Sequence, residues 1–431
     1  MMNNDTSGLD CDLLIAGGGL AGATLALALA RALPTLRVTV VEAFPLAPEP
    51  LPEDYQPSYD ARSTALAWGS KEIYQQLGLW PRLARHATPI CRVHVSDRGR
   101  FGATRLSARE QGQDALGYVV DNRWMGLCLM AELAGESRIE WLAPAEVVTA
   151  SPRESGVMVT VDQGGVRRSL AAQCLVVADG GRSGLREALG FQAKRHDYGH
   201  HALIANVSTS DSHGFTAYER FTSQGPMALL PQGNPQRAGR ASALVWTVDD
   251  HALTRMLASS EDERCQQLQE HFGWRLGRVT RFGRCNHYPL ALTTVEESVR
   301  PGVVLVGNAA HTLHPVAGQG FNLALRGLMA LVEQFQQAHA AGQPLGSMAV
   351  LGRYQQLHRR DWRQTRLFSD SLIKVFGHPL PAMAAARNAG LIGLDLLPGA
   401  RRWFTRTAMG MGGRRPVFSP TPQGVPTDAE H

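Results

Sequence analysis

Residues 12–42 read DLLIAGGGLAGATLALALARALPTLRVTVVE, and the order of residue types along them decides the fold. Asp12 to Ala16 is an apolar run of strand length. Gly17-x-Gly19-x-x-Gly22 follows at once and opens an alanine- and leucine-rich helical segment to about Leu33, which Pro34 ends. Arg37 to Val41 is a second, β-branched run, and Glu42 closes it twenty residues after Gly22. Gly17 permits a tight turn, Gly19 lets a pyrophosphate approach the backbone, and Gly22 lets helix and strand pack closely. Glu42 is placed to accept hydrogen bonds from a ribose. Together these make a dinucleotide-binding βαβ unit. Leu13 to Ala30 is eighteen residues without a charge, long enough to suggest a membrane span or a signal peptide. Asp10 and Asp12 precede it where a signal peptide carries positive charge, so it is read as a buried strand followed by a buried helix.

A second strand–turn–helix stretch occupies 303–322, VVLVGNAAHTLHPVAGQGFN. Val303 to Val306 is a buried-strand run, Gly307 ends it, and Asn308 follows. A loop containing Pro315 leads to Gly318-Gln319-Gly320, and Phe321-Asn322-Leu323 begins a helix. Such a glycine-rich helix entry presents backbone N–H groups to an electron-rich partner. Between the two lies Cys174 to Ala178, a third apolar strand, which runs into Asp179-Gly180-Gly181-Arg182-Ser183-Gly184-Leu185-Arg186. Asp-Gly favours a plain β-turn by itself.

At 431 residues, with 44% hydrophobic and 19% charged residues, the chain has room for two or three packed cores. A formal charge of +5 is modest for this length, and no basic stripe interleaved with aromatics points to nucleic acid. Six scattered cysteines without a C-x-x-C pair fit reduced thiols in the cytoplasm better than a disulfide frame or a zinc site, and no metal is expected.

Residues 44–60 are proline-rich and read as loop, and Asp60-Ala-Arg62 is expected to lead into a helix through Leu66 and Trp68. Arg62 is either a solvated charge or a reach toward the bound nucleotide. Strands are expected at 92–97, 117–120, 139–142, 145–150 and 156–161, with Asp121 or Asn122 capping a helix that includes Arg123 to Leu133. From 195 to 294 strand-like runs alternate with turns (202–208, 217–222, 227–230, 242–248 and 278–289), interrupted by a helical stretch at 250–272. The division that follows is a discontinuous nucleotide domain (1–95, 115–190 and 295–345), a β-rich substrate domain (96–114 and 191–294), C-terminal helices (346–412) and a disordered tail (413–431). No internal repeat is present.

The three motifs in this order resemble the signatures of class A flavoprotein monooxygenases, the aromatic hydroxylases of the p-hydroxybenzoate hydroxylase type. They are Gly17-x-Gly19-x-x-Gly22, Asp179-Gly180-x-x-Ser183-x-x-Arg186, and Gly307-Asn308-Ala309-Ala310-His311 with Pro315 and Gly318-x-Gly320-x-Asn322. VHVSDRG (93–99), ERFT (219–222), HFGWRLGRV (271–279) and TLHPVAGQGFNLALR (312–326) resemble the ubiquinone-biosynthesis branch most, in particular the 2-octaprenyl-6-methoxyphenol hydroxylases.

The resemblance implies an α/β fold: a glutathione-reductase-type, Rossmann-like FAD domain, a mostly β substrate domain and a C-terminal helical segment. It implies FAD, NAD(P)H as reductant, O2, and a polyprenylated phenol hydroxylated through a flavin C4a-hydroperoxide. The implied cofactor-binding residues are Gly17, Gly19, Gly22, Glu42, Arg62, Arg123, Asp179, Arg186, Asn308, Gly318, Gly320, Phe321 and Asn322. Pro315 and Gly320 would border the reacting edge of the flavin, with no side-chain acid or base assigned. Asn308 stands where the family commonly has Asp; an amide both donates and accepts, so cofactor binding is expected to be kept. No second GxGxxG serves a nicotinamide, which fits transient docking of NAD(P)H.

Residues 351–416 hold twelve Lys or Arg against three acids, with apolar clusters at 367–376 and 391–397. They suit contact with an anionic membrane surface, so a cytoplasmic protein peripheral to the inner membrane is expected, with other ubiquinone-biosynthesis proteins as partners. An apolar tunnel toward these helices is also expected. Three alternatives stay open: a sister hydroxylase acting at another ring position, an FAD-dependent prenyl reductase or dehydrogenase, and a flavin-bearing scaffold without turnover.

Overall fold

A computed structural model describes residues 8–46, 51–52, 55, 62–181, 183–222, 224–312, 318–377 and 381–413, with the side chains of 372–377 and 381–386 excepted. Pro315, Arg182, most of the proline-rich stretch and the tail from 414 lie outside the described residues.

The apolar runs form one parallel sheet. Cys11–Ala16 lies between Val38–Val41 and Val166–Val177, with Leu13 opposite both Val38 and Cys174. Ile139–Leu142 extends the sheet beyond Val38–Val41, and Val303–Leu305 extends it beyond Val166–Val177. Strand order therefore reverses at Cys11–Ala16, the position at which open α/β sheets bind ligands beyond their carboxyl ends. Helix Leu20–Ala32 packs on one face, and its residues Leu25 to Leu29 are fully buried. The long uncharged stretch is thus strand plus helix, and among the described residues no helix is long and apolar enough to cross a membrane.

A second sheet of nine strands is built mainly from 193–295. Its long strand Ala193–Thr209 pairs with Ala241–Val248, Val279–Phe282 and Asn286–Val295. Thr216–Thr222 pairs antiparallel with Gly225–Gln232 and parallel with Arg92–Asp97, so two separate excursions from the parallel sheet contribute to one sheet. The run expected at 278–289 is two strands, separated around Gly283, whose N–H donates to the Asn206 carbonyl.

Residues 63–67 correct the expectation of a helix there. Ser63–Ala67 is a strand paired antiparallel with Gly117–Asp121, and the helix begins only at Trp68 (Trp68–Gln76). Helices Gln319–Ala340, Met348–Gly377, Pro381–Leu396 and Pro398–Ala408 complete the chain. The last of these returns to the centre: the Gly69 N–H donates to the Met409 carbonyl, and Gln319 Nε2 donates to that of Ala408.

Candidate functional site

The motifs meet at the carboxyl ends of adjacent parallel strands. Gly17 follows Cys11–Ala16 with φ +101°, and a Cβ there would lie 2.8 Å from the Ala178 backbone. At Gly22 a Cβ would fall 1.9 Å from the Gly17 carbonyl oxygen, so only glycine lets the helix start this close to the strand. Beside Gly19 the space is open, and this residue begins helix Leu20–Ala32 without any side-chain cap. The first N–H groups of that helix are left for an anion. Glu42 accepts from the Gly18 N–H at 2.6 Å and from the Phe44 N–H at 3.0 Å, so its carboxylate braces the glycine turn and keeps lone pairs for further donors.

The acidic turn at 179–186 is more than a plain β-turn. Ser183 Oγ donates to Asp179 Oδ2 at 2.7 Å and accepts from the Arg186 N–H at 2.9 Å, capping the short helix Gly184–Ala188. Burial raises the Asp179 carboxyl above the usual range, opposed by the Ser183 bond and the Arg186 charge. Arg186 is 4% exposed and donates from Nη1 to the Ala309 carbonyl at 3.2 Å, which fastens this turn to the Gly307–Ala310 turn. Its Nε has no partner among the described residues. Asn308 is exposed at the same edge, and His311 beyond it is buried against His358 of helix Met348–Gly377, 3.4 Å between ring nitrogens. Burial holds the His358 imidazole down to about 4, so the pair is neutral and acts as packing.

Gly318 (φ +59°) starts helix Gln319–Ala340, again with no side-chain cap, and open space surrounds Gly320. The Asn322 side chain is fully used within the protein. Its Nδ2 donates to the carbonyls of Ala65 (2.9 Å) and Gly318 (2.8 Å), while its Oδ1 accepts from the Ala67 N–H (2.8 Å) and Ser70 Oγ (2.7 Å). Asn322 therefore offers a ligand only its backbone. Arg62 is exposed and donates to the Tyr288 hydroxyl at 2.7 Å. Arg123 is exposed in the first turn of the helix that Asp121 caps.

The rim formed by Asn308 and Gly318–Asn322 opens on an apolar cavity of about 460 Å³. Its opposite wall is the second sheet, with Val93, Val95, Leu106, Ala217, Phe221, Ala228, Leu230 and Val245. Its end is closed by Phe368, Phe404, Ala408 and Met409 of the C-terminal helices. A neighbouring hollow shares Gln319, Phe368 and Phe404 with the cavity and runs past Leu367 and Trp403, both exposed. The Phe368 and Phe404 rings, 5.2 Å apart, stand between the two spaces. Sequence reasoning missed the strand Ser63–Ala67, the 404–409 wall and Glu219, a carboxylate on the cavity face. The signal for Glu219 was there: in TAYERFT (216–222) it shares a strand face with Ala217 and Phe221.

Over residues 10–356 the chain matches a family whose model is described as FAD binding domain. The chain belongs to that family. It is 33% identical over 399 residues to the ubiquinone hydroxylase UbiL of Rhodospirillum rubrum, covering 93% of this chain and 89% of that protein. It is 29% identical over 402 residues to the 3-demethoxyubiquinol 3-hydroxylase of Escherichia coli, covering 93% and 98%. The crystal structure of p-nitrophenol 4-monooxygenase PnpA from Pseudomonas putida DLL-E4 matches with a TM-score of 0.75, at 19% identity and over 94% and 98% of the two chains. That likeness is one of fold. The resemblance drawn from the motifs is borne out: this is a flavoprotein of the monooxygenase fold, and FAD is its cofactor. The residues fit such a group. Two helix N-termini lack side-chain caps, Gly19 leaves an open cradle, Arg186 Nε has no partner among the described residues, and the rim at Asn308 and Gly318–Asn322 faces a mostly apolar chamber.

Proposed function

We propose that this chain hydroxylates the ring of a polyprenylated phenol in ubiquinone biosynthesis, using FAD, NAD(P)H and O2. The observation that carries the reading is the cavity itself: one wall is the nucleotide-binding rim, the rest is mostly apolar, and at the far end Phe368 and Phe404 part it from a second hollow. A phenol ring suits the chamber and a prenyl tail suits the exit. When bound, FAD takes electrons from NAD(P)H and supplies O2-derived oxygen in electrophilic form.

The chain's residues position and seal. Gly19 and the start of Leu20–Ala32 would receive the pyrophosphate, and Glu42 the ribose hydroxyls. Asp179 and Asn308 would receive the remaining polar edge, with Arg186 holding their two turns together. The N–H groups at Gly320–Asn322, at the positive end of a long helix, would lie against the electron-rich side of the ring system. Pro315, assigned to the same edge, lies outside the described residues. The leucine, valine and phenylalanine walls exclude water, which protects a reactive oxygen donor from wasteful breakdown.

The test supplies isotopically labelled O2 to protein loaded with FAD, with NADPH or NADH and 2-geranylphenol. Label in a new ring hydroxyl supports the reading. A saturated prenyl tail without oxygen uptake favours a reductase. Tight flavin binding with no turnover favours a scaffold.

We further propose that the C-terminal helices rest on an anionic membrane face of the cytoplasm. Exposed Leu367, Leu396, Leu397 and Trp403 accompany exposed Arg363, Arg402 and Arg406, and the tail exit opens at Leu367 and Trp403. Co-sedimentation with anionic vesicles at low salt, lost at high salt and with Trp403→Ala, is the expected result; equal recovery with and without vesicles contradicts it.

A further inference from the structure

Glu219 is the one ionisable residue among the described residues that line the cavity. It sits mid-strand in Thr216–Thr222, opposite Val95 on one side and Ala228 on the other. Its carboxyl is enclosed by protein, and the surface it keeps faces the cavity. Neither oxygen has a hydrogen-bond partner among the described residues. Burial alone pushes the carboxyl up to about 8.

No neighbouring charge explains or relieves this. His94, Tyr218, Arg220 and Arg105 belong to the opposite face of the sheet, by strand alternation. Asp97, two residues beyond Val95, is held by Arg387 at 3.4 Å and Arg100 at 3.8 Å. Strands Gly225–Gln232 and Ala241–Val248 present only apolar residues to the cavity, and the helices present Gln319, Asn322, Phe368, Phe404 and Thr405. An unpartnered carboxyl in such surroundings carries a desolvation cost that nothing within the protein offsets.

We propose that Glu219 is a catalytic residue: its carboxyl hydrogen-bonds the hydroxyl of the phenolic substrate and, when ionised, takes that hydroxyl's proton. The inference rests on the reading of the cavity as a phenol site. One proton moves and no electrons change hands. The phenol O–H bond breaks, a carboxyl O–H bond forms, and the electron pair stays on the phenol oxygen, where it enriches the ring carbons. The proton returns when the product hydroxyl is re-formed. A carboxyl raised in this way lies about 2 units below a phenol's ~10, whereas an ordinary glutamate at ~4.3 lies about 6 below, so proton transfer is much less uphill.

The test uses the FAD-loaded protein and two probes, 2-geranylphenol and its methyl ether, which has no proton to give. Glu219→Gln is expected to keep its flavin and to bind the ether like the wild type, as read from the flavin absorption spectrum. Its single-turnover rate on the phenol should fall by about 10²-fold or more, the usual share of a general base. The wild-type rate should rise with pH toward a limb near 8, absent in Glu219→Gln and partly recovered in Glu219→Asp. Equal phenol rates and equal pH profiles in wild type and Glu219→Gln overturn the role of Glu219 while leaving the phenol site standing. A wild type that neither binds nor hydroxylates the phenol overturns the phenol site, and Glu219's role with it. Should Glu219→Gln lose its flavin, Glu219→Leu takes its place: a wild-type phenol rate and limb in that variant, which has no carboxyl, overturns the inference.

Discussion

Replacing Asn322 by aspartate exchanges an amide NH2 for an oxygen and leaves side-chain size almost unchanged. The residue is 1% exposed, and its backbone partners fix which way the amide points: Ala67 offers an N–H, while Ala65 and Gly318 offer carbonyls. In Asn322→Asp the bonds from Ala67 and Ser70 survive. The second oxygen, however, faces two carbonyl oxygens that Nδ2 now reaches at 2.9 and 2.8 Å. At about 1–3 kcal/mol for each buried group left facing no donor, the ionised variant loses roughly 2–6 kcal/mol. Protonation restores one donated bond, so the aspartate pKa in the folded protein rises. A preference of about 3 kcal/mol for the protonated form corresponds to roughly 2 units at 1.36 kcal/mol each. The folded protein then holds more protons than the unfolded chain between pH ~4 and ~6, and its stability falls as pH rises through that window. Urea denaturation of wild type and variant at pH 5 and pH 8 reads this directly. The gap between the two proteins should widen by about 1–2 kcal/mol at the higher pH, and flavin affinity should weaken with it, since Asn322 sets the start of helix Gln319–Ala340 against strand Ser63–Ala67. A gap that is absent, or equal at both pH values, refutes the brace.

Gly22→Ala places a methyl 1.9 Å from the Gly17 carbonyl oxygen, so helix and strand must part; FAD affinity by fluorescence quenching should drop at least about tenfold. Phe404→Ala removes one of the two rings that part the hollows, and should lower KM for long-tailed phenols while leaving that for phenol itself unchanged; equal effects on both contradict the tail exit. Glu219→Gln should flatten the alkaline decline of stability. A carboxyl raised from 4.5 to about 8 lets stability fall as pH climbs between those values, by up to about 5 kcal/mol, and a glutamine has no charge to bury. Denaturation midpoints of the two proteins should diverge progressively between pH 4.5 and about 8.

The nucleotide-binding half was legible because its information is local. Gly17, Gly19 and Gly22 encode a backbone conformation, and the runs around them encode strands buried on both faces. Ser63–Ala67 was not legible: its alanines and leucine show no alternation, and only pairing with Gly117–Asp121 makes it a strand. Asn322 illustrates a second limit. The motif marked it as important, yet its side chain serves two segments some 250 residues upstream, Ala65–Ala67 and Ser70. Glu219 illustrates a third. Alternation placed it on an inward face, but the emptiness of its surroundings depends on Val95 and Ala228 from other strands and on Phe404 from the last helix. Arg62, which the sequence leaves open between surface charge and cofactor contact, sits on Tyr288 of the second sheet.

The most direct measurement is a titration of the flavin-free protein with FAD, followed by 2-geranylphenol, watching the flavin absorption spectrum throughout. A single FAD bound per chain, whose spectrum then shifts and saturates with the phenol, is the predicted outcome. Protein that takes up no FAD, or a bound flavin whose spectrum never responds to the phenol, contradicts a nucleotide rim opening on a phenol chamber.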